Sequence, residues 1–226
     1  MNRVELAAAL EAYAPATTDE AASLERIRRF LEAPADPFAR ANPEGHITAS
    51  AVIARPDASE FLLIHHRKLS RWLQPGGHTE ASDASTFEAA LREASEETGI
   101  SHFETPLGEA IFDVDVHAIP AHKKDPAHSH FDVRYLLTST ERAHAARAED
   151  PDRPMRWVSL EAAEALGVDP SLARALGKAN AVLRSLPPLP AGLDHQRQTP
   201  ASRERRPEAG DKGRGEGGDS MVVVKP

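Results

Sequence analysis

The sequence predicts an α/β fold in which helices cover both faces of a mixed β-sheet, an α/β/α sandwich. Apolar, β-branched runs with the period of a strand alternate along the chain with segments that have the period of a helix. The chain has 226 residues, enough for one domain with a substantial core and extensions at its ends. It has no cysteine, which excludes disulfides, thiolate metal sites and cysteine nucleophiles.

The sequence divides into three parts. Residues 1–44 are predicted to form a helical extension and linker, residues 45–186 the main domain and residues 187–226 a tail. The extension contains two helices, the second capped by Thr18, and we expect the pair to pack on the main domain. The alternatives are a contact between two copies of the chain, as in a homodimer, or a lid over a substrate site. The tail has almost no large apolar residue before Met221, cannot offset the entropy of ordering, and is expected to be disordered.

The main domain is predicted to begin with a β-hairpin. The segments HITASAVIAR, from His46, and FLLIHHR, from Phe61, are apolar and β-branched, and the turn residues 56–59 separate them. His65 and His66 are adjacent on the second strand and therefore face opposite sides of the sheet. At most one of these two histidines can serve a site.

A helix follows the hairpin after a polar loop. Ser85 followed by Glu88 is typical of a helix start, and Gly99 is typical of a helix end in the left-handed conformation. The residues that recur at helical spacing between them predict one buried stripe, formed by Phe87, Ala90, Leu91, Ala94 and Thr98.

The other face of this helix is acidic. Glu93, Glu96 and Glu97 stand at i, i+3 and i+4, a spacing that puts three carboxylates side by side. Like charges at this spacing repel one another, so either water screens them or a divalent cation offsets them. Gly76 and Gly77, in front of the helix, permit a close approach of the backbone to a ligand.

This stretch resembles the Nudix box, which is a glycine, a spaced acid, and then Arg-Glu-apolar-any-Glu-Glu-any-Gly-apolar. The sequence departs from the family pattern at two points. Asp83 stands where the family usually has glutamate, and eight residues rather than seven separate it from Arg92. The extra residue falls in the loop before the helix, where an insertion is tolerated. The matching residues are Gly77, Asp83, Arg92-Glu93-Ala94, Glu96-Glu97 and Gly99-Ile100.

The resemblance implies a hydrolase that uses Mg²⁺ or Mn²⁺ to cleave the pyrophosphate bond of a nucleoside diphosphate linked to another moiety, for example an ADP-ribose-like compound. Hard carboxylate ligands suit such a cation. The resemblance assigns the metal to Glu93, Glu96 and Glu97, makes these glutamates and Arg92 catalytic, and has Arg92 orient them. Gly76 and Gly77 would shape the substrate loop, and Glu80 is a further candidate ligand or base.

Two rival functions remain on the same fold. A catalytically inactive Nudix-like module would bind a nucleotide for regulation without cleaving it, although the intact set of carboxylates speaks against this. An isomerase acting on isopentenyl diphosphate is disfavoured because the cysteine that such enzymes employ has no counterpart here. The sequence does not single out one diphosphate as the substrate.

A row of polar residues follows the box on the predicted strand HSHFDVRYLL. His128, His130, Asp132 and Arg134 alternate with apolar residues and therefore share one face. Our preferred interpretation is that they contact the substrate, with Asp132 or a histidine assisting proton transfer. The alternatives are a transition-metal site, such as zinc, and a solvated strand face.

The remaining segments predict a closing strand and two helices. The segment MRWV precedes a helix capped by Ser159, and a last helix has Pro170 in its first turn. The net charge of −8 argues against a general binder of nucleic acid or membrane surfaces. No apolar run reaches the length of a membrane span. We therefore expect a soluble, cytoplasmic protein whose partner is a small diphosphate.

Overall fold

The structure, a computed structural model, describes residues 2–67, 69–121, 126–144, 150 and 152–187. Apart from Pro187, the predicted disordered tail lies outside the described residues. The helices of the described part are α1 (Arg3–Ala12), α2 (Thr18–Glu32), α3 (Thr86–Thr98), α4 (Leu160–Ala165) and α5 (Pro170–Ser185). Its strands are β1 (Gly45–Ala54), β2 (Phe61–His66), β3 (Arg71–Leu73), β4 (Gly76–His78), β5 (Asp113–Ile119), β6 (His128–Thr138) and β7 (Met155–Val158).

The strands form one mixed sheet with the order β3-β2-β1-β6-β5, in which β4 also pairs with β1 and β7 with β2. The long central pair is β1 and β6, which run parallel, with His46 opposite His130 and Ser50 opposite Arg134. β4 runs antiparallel to the first half of β1, where Ser50 is opposite Gly76. The glycine segment is thus an integral part of the sheet, and this short strand was not predicted from the sequence.

Helices cover both faces of the sheet, as predicted. The odd-numbered residues of β1 pack with α1, α2 and α3, while Val52 and Ala54 pack with α4 and α5. The first half of β1 differs, because its even-numbered residues are polar: His46, Thr48 and Ser50. The apolar residues of α5 therefore cover only one end of this face, and the other end is lined by polar side chains.

The ends of the helices follow the local sequence. Ser85 accepts a hydrogen bond from the backbone N–H of Glu88, and Gly99 ends α3 with a φ of 68°. Ser159 and the early Pro170 begin α4 and α5 as predicted. The prediction for α2 was wrong by one residue: Thr17, not Thr18, is the N-cap, since it forms a reciprocal capping box with Glu20.

The two N-terminal helices share the core of the main domain. Leu6 and Leu10 of α1, with Ile27 and Phe30 of α2, belong to the same apolar cluster as the odd-numbered residues of β1. The ring of Phe30 stacks on that of Phe131, with centroids 3.9 Å apart. The division of the chain at residues 44 and 186 stays a prediction. No helix in the described part of the chain combines the length and the apolar composition that a bilayer crossing requires.

Candidate active site

Two glutamates of α3 point at the glycine strand β4. The backbone N–H of Gly76 donates to Oε2 of Glu97 at 2.9 Å. A Cβ on Gly77 would lie 2.6 Å from Oε1 of Glu93, so only glycine leaves room for that carboxylate. The apolar stripe of α3 fixes this arrangement, because burying Ala90 and Ala94 turns Glu93 and Glu97 toward the edge of the sheet.

Arg92 forms hydrogen bonds with three acidic side chains and one carbonyl oxygen. Its Nε and Nη2 donate to the two carboxylate oxygens of Asp83, both at 3.0 Å. Nη2 also donates to the carbonyl oxygen of His78 at 2.9 Å. Nη1 donates to Glu93 at 3.1 Å and to Glu96 at 2.9 Å. Arg92 thereby joins the loop, the glycine strand and two glutamates, a geometry suited to orienting carboxylates.

Asp83 is the acid that precedes the helix in the family pattern, although its side chain is shorter than the usual glutamate and one extra residue follows it. It is 5% exposed, grips Arg92 with both oxygens, and accepts a hydrogen bond from the backbone N–H of Glu80 at 2.7 Å. Its pKa stays below the ordinary value because the bonds to Arg92 and Glu80 outweigh the effect of burial. The loop therefore accommodates the extra residue, and the ion pair between Asp83 and Arg92 is formed. The side chain of Glu80 is exposed.

The three glutamates differ in their surroundings. The side chain of Glu96 is 45% exposed, whereas those of Glu93 and Glu97 are 14% and 9% exposed. Burial raises the pKa of Glu93 to about 7, and the neighbouring Glu97 and Glu96 add to this effect against the opposing influence of Arg92. Glu97 also pairs with Arg153, a residue just before β7. All three glutamates are thus paired with arginines, but Glu93 and Glu97 are largely covered while Glu96 lies toward solvent.

Asp132, one of the predicted substrate contacts, is 3% exposed. It lies in the polar half of the sheet, which is the end of this face lined by the polar residues of β1. Thr48 donates to its Oδ1 at 2.9 Å and Ser50 to its Oδ2 at 2.7 Å. Gln74 and Arg134 donate to Oδ2 at 3.3 Å and 3.1 Å. Protein groups therefore engage both oxygens, and Asp132 holds β1, β6 and the segment before β4 together.

Arg134 is enclosed by carboxylates. Its side chain is 2% exposed and lies within 3.3 Å of Asp113, Asp115 and Asp132. The hydroxyl of Ser171, at the start of α5, accepts a further hydrogen bond at 2.8 Å. This placement favours an indirect contribution of Arg134 through the carboxylates that it holds. Its predicted contact with the substrate stays a prediction.

The same buried network reaches the N-terminal helices. Glu20 of α2, which is fully buried, pairs with Lys178 of α5 at 2.6 Å. Lys178 also donates to Tyr13 at 3.0 Å. Arg174 contacts both Glu20, at 4.0 Å, and Asp113, at 2.8 Å. A chain of alternating charges thus links α2, α5 and β5.

A cluster of histidines lies beside the glycine strand. His46 of β1, His78 of β4 and His130 of β6 bring one potential ligand nitrogen each to within 4.8 Å of one another. Nε2 of His128 lies 3.3 Å from Nε2 of His130. His117 of β5 stacks edge-on against His130 with centroids 5.5 Å apart and bonds to Asp115. Imidazole side chains of four strands, β1, β4, β5 and β6, therefore lie close together.

The three central imidazoles are neutral at pH 7. Burial lowers the pKa of His46 and of His78 to about 4, and that of His130 to about 2. Neighbouring imidazoles add to the effect in all three cases, and the charge of Arg40 adds to it for His46 and His78.

Sequence reasoning placed the polar row of β6 on one face but missed its neighbours. His46, His78 and Arg153 were not predicted as site residues. The alternation of His46, Thr48 and Ser50 on β1, and the histidine directly after the two glycines, were the signals that could have found two of them. Arg153 carries no local signal, since its position next to Glu97 depends on how β7 joins the sheet.

Comparison with known proteins gives one family match. A model described as the NUDIX domain matches residues 45–178, which is more than half of the chain and includes all of β1 to β7 and α3. No curated protein matches the chain in sequence. The family assignment of the chain rests on this match and not on similarity to individual structures.

Several solved structures are similar to the chain at low identity. An Ap4A hydrolase from C. elegans, in a binary complex, is 20% identical over 62% of this chain and 98% of its own, with a TM-score of 0.43. A MutT NUDIX hydrolase from Burkholderia pseudomallei is 20% identical over 59% and 97%, with a TM-score of 0.43. A bifunctional NMN adenylyltransferase/ADP ribose pyrophosphatase from Francisella tularensis, complexed with AMP and a Mn ion, is 20% identical over 71% and 43%, with a TM-score of 0.38.

Proposed function

The chain belongs to the Nudix family and is a pyrophosphohydrolase, and we propose that it uses Mg²⁺ or Mn²⁺ to cleave the diphosphate of a nucleoside diphosphate linked to another moiety. The observation that carries this proposal is the placement of Glu93 and Glu97 against the glycines of β4. The two carboxylates lie next to glycines, whose lack of a side chain allows the close approach to the backbone that binding of a diphosphate requires.

The residues of this site fit a hard divalent cation. Glu93, Glu96 and Glu97 offer only carboxylate oxygens, the ligand type that Mg²⁺ and Mn²⁺ prefer. The room that Gly77 leaves for the Glu93 carboxylate supports the same assignment. Arg92 and Arg153 partly balance these negative charges.

The metal would supply positive charge to the diphosphate oxygens and help to align the attacking water. The protein contributes the orientation of the reacting groups. Arg92 fixes the carboxylates of Glu93 and Glu96, and the N–H of Gly76 fixes that of Glu97. Water attacks one phosphorus, the bridging P–O bond breaks, and one of the carboxylates takes the proton of the water.

The substrate itself would lie along β4 and the polar half of the sheet. Gly76 and Gly77 border the diphosphate, and His128 and His130 line the adjoining face of β6. We propose that Asp132 and Arg134 act on the substrate only by holding this face in place, since protein groups surround them. The nucleoside and its linked moiety remain open, with ADP-ribose-like compounds as the first class to test.

The proposal is tested with full-length protein that has been treated with chelator and then supplied with Mg²⁺ or Mn²⁺. A panel of ADP-ribose, dinucleoside polyphosphates, nucleotide sugars and nucleoside triphosphates is incubated with it, and the products are separated by chromatography. We expect metal-dependent release of a nucleoside monophosphate, or of another phosphate product, from at least one compound. Binding without any product would overturn the proposal and support a nucleotide-binding module.

A further inference from the structure

The histidine cluster forms a second concentration of ligand atoms, separate from the glutamates. His46, His78 and His130 belong to three neighbouring strands, β1, β4 and β6. Their ring centroids lie 4.8 to 5.4 Å apart. Among the described residues, this is the group whose potential ligand atoms all lie within 4.8 Å of one another.

His46 is the most informative member of the cluster. It is 2% exposed, yet neither of its ring nitrogens has a hydrogen-bond partner in the part of the chain that the structure describes. A buried imidazole without partners gives up its hydrogen bonds with water and gains none in return. The side chain thus lacks the compensation that buried polar groups normally have, and a ligand bound between the three rings would provide it.

We propose that His46, His78 and His130 bind a borderline transition-metal dication, of which Zn²⁺ and Co²⁺ are representative, as a three-histidine site with one open position. Three neutral imidazoles suit such an ion, whereas Mg²⁺ strongly prefers oxygen. This site goes beyond the proposed hydrolytic function, because it uses other residues and another class of metal than the glutamates of α3.

The geometry needs only a local adjustment. In a tetrahedral zinc site with Zn–N distances of about 2.0 to 2.1 Å, the ligand nitrogens lie about 3.3 Å apart. The present separations of up to 4.8 Å therefore have to shorten, which rotations about the χ angles of His78 and His130 can achieve because both rings are only half-buried. His46 is held by the core and would act as the fixed ligand.

The fourth position of a three-histidine site is open to water or to an anionic oxygen, such as that of hydroxide or phosphate. Asp132, which the sequence grouped with these histidines, is not a member of the group of described residues whose ligand atoms lie together, and its oxygens accept hydrogen bonds from Thr48, Ser50 and Arg134.

The test measures metal binding directly, on untagged full-length protein stripped with chelator. Co²⁺ is titrated while the visible absorption is recorded, since four-coordinate Co²⁺ absorbs far more strongly than six-coordinate Co²⁺. We expect one equivalent to bind with a four-coordinate spectrum, Zn²⁺ to displace it, and excess Mg²⁺ to leave it in place. Absence of a four-coordinate species would overturn the proposal.

Substitutions of the cluster histidines test which residues bind the metal. His78→Gln and His130→Gln should each weaken Co²⁺ binding at least tenfold, with circular dichroism used to establish that they are folded. His102→Gln is the matched control, because His102 is exposed and pairs with Glu104 away from the cluster. Glu97→Gln should retain the four-coordinate spectrum, which separates this site from the proposed magnesium site. Unchanged binding in both cluster variants, or its loss in Glu97→Gln alone, would contradict the assignment.

Discussion

The backbone N–H of Gly76 donates to Oε2 of Glu97 at 2.9 Å, which ties the last turn of α3 to the strand that borders the proposed diphosphate site. Gly76 has a φ of 157°, and a Cβ there would lie 2.3 Å from the Cβ of Ser50. The strand can take its place beside β1 only with glycine at this position. The same backbone requirement thus shapes the sheet and positions a carboxylate.

The Glu97 carboxylate is the first target for mutation. Glu97→Gln keeps the shape of the side chain and the acceptor for Gly76 but removes the negative charge. We expect metal-dependent hydrolysis to fall by about 100-fold or more, since a metal-stabilised transition state is worth several kcal/mol. The measurement is kcat/KM on the substrate found in the panel, with the unfolding midpoint as a check on folding.

Glu88→Gln is the control for this substitution. Glu88 lies on the same helix but is exposed, and its carboxylate caps the loop at Ala84, an interaction that glutamine preserves. Its activity should stay near that of the wild type. Full turnover by Glu97→Gln would remove Glu97 from the proposed metal ligands.

The two glycines of β4 should respond differently to alanine. In Gly77→Ala the three atoms nearest the new Cβ all belong to the carboxylate of Glu93, at 2.6 to 2.7 Å, and that carboxylate can move. We expect a folded protein with at least tenfold lower kcat/KM, because Glu93 is displaced. In Gly76→Ala the Cβ meets backbone and Ser50, so a loss of stability should dominate.

Gly177 provides the matched control, because a Cβ there would meet nothing within 4 Å. Gly177→Ala lies within α5 and should stabilise the protein by about 0.5 to 1 kcal/mol without affecting activity. Urea denaturation and the steady-state assay separate the two effects. If Gly77→Ala retained wild-type activity, the close packing of Glu93 on β4 would have no catalytic importance.

Arg134 should be essential for folding stability. Arg134→Met would leave the buried Asp113 and Asp132, and the half-buried Asp115, without their central cation. Breaking such a buried ion pair typically costs about 3 to 5 kcal/mol of the free energy of unfolding. Arg29→Met is the control, since Arg29 is 74% exposed and its one ion pair among the described residues is with Glu25 on its own helix. The control should change stability by no more than about 0.5 kcal/mol, and a similar value for Arg134→Met would refute the prediction.

Glu20 should make stability depend on pH. Burial would raise the pKa of Glu20, yet hydrogen bonds from Lys178 and the backbone of Ala16, and an interaction with Asp113, lower it from 4.5 to about 2. Because the pKa is depressed in the folded state, the stabilisation is complete above about pH 5 and is lost as the pH falls from 4.5 toward 2. The difference in the free energy of unfolding between the wild type and Glu20→Gln should shrink by about 1 kcal/mol between pH 7 and pH 4.

This difference is measured by urea denaturation at a series of pH values. Glu25→Gln on the same helix is the control for removing an exposed carboxylate, because Glu25 is more than half exposed. A pH-independent difference for Glu20→Gln would show that the carboxylate is not held ionised by its neighbours.

The sequence by itself determined those features that local interactions control. The limits of α3, the caps Ser85 and Ser159, the hairpin of β1 and β2, and the alternation of β6 all depend on residues close together in the chain. The box residues could be aligned with a family pattern for the same reason, as they occupy one helix and the loop before it. The helices on both faces of the sheet followed from the order of these elements.

Only the tertiary structure decided which distant residues meet. His46 and His130 become neighbours because β1 and β6 pair in parallel with one particular register, and a shift by one residue would turn either histidine to the other face. The contact of Arg134 with the substrate stays a prediction, whereas its carboxylate partners on β5 and β6 and the Ser171 hydroxyl of α5 were visible only in the structure. Charge patterns along a chain do not specify such partners, because burial and pairing across a sheet arise only when the strands assemble.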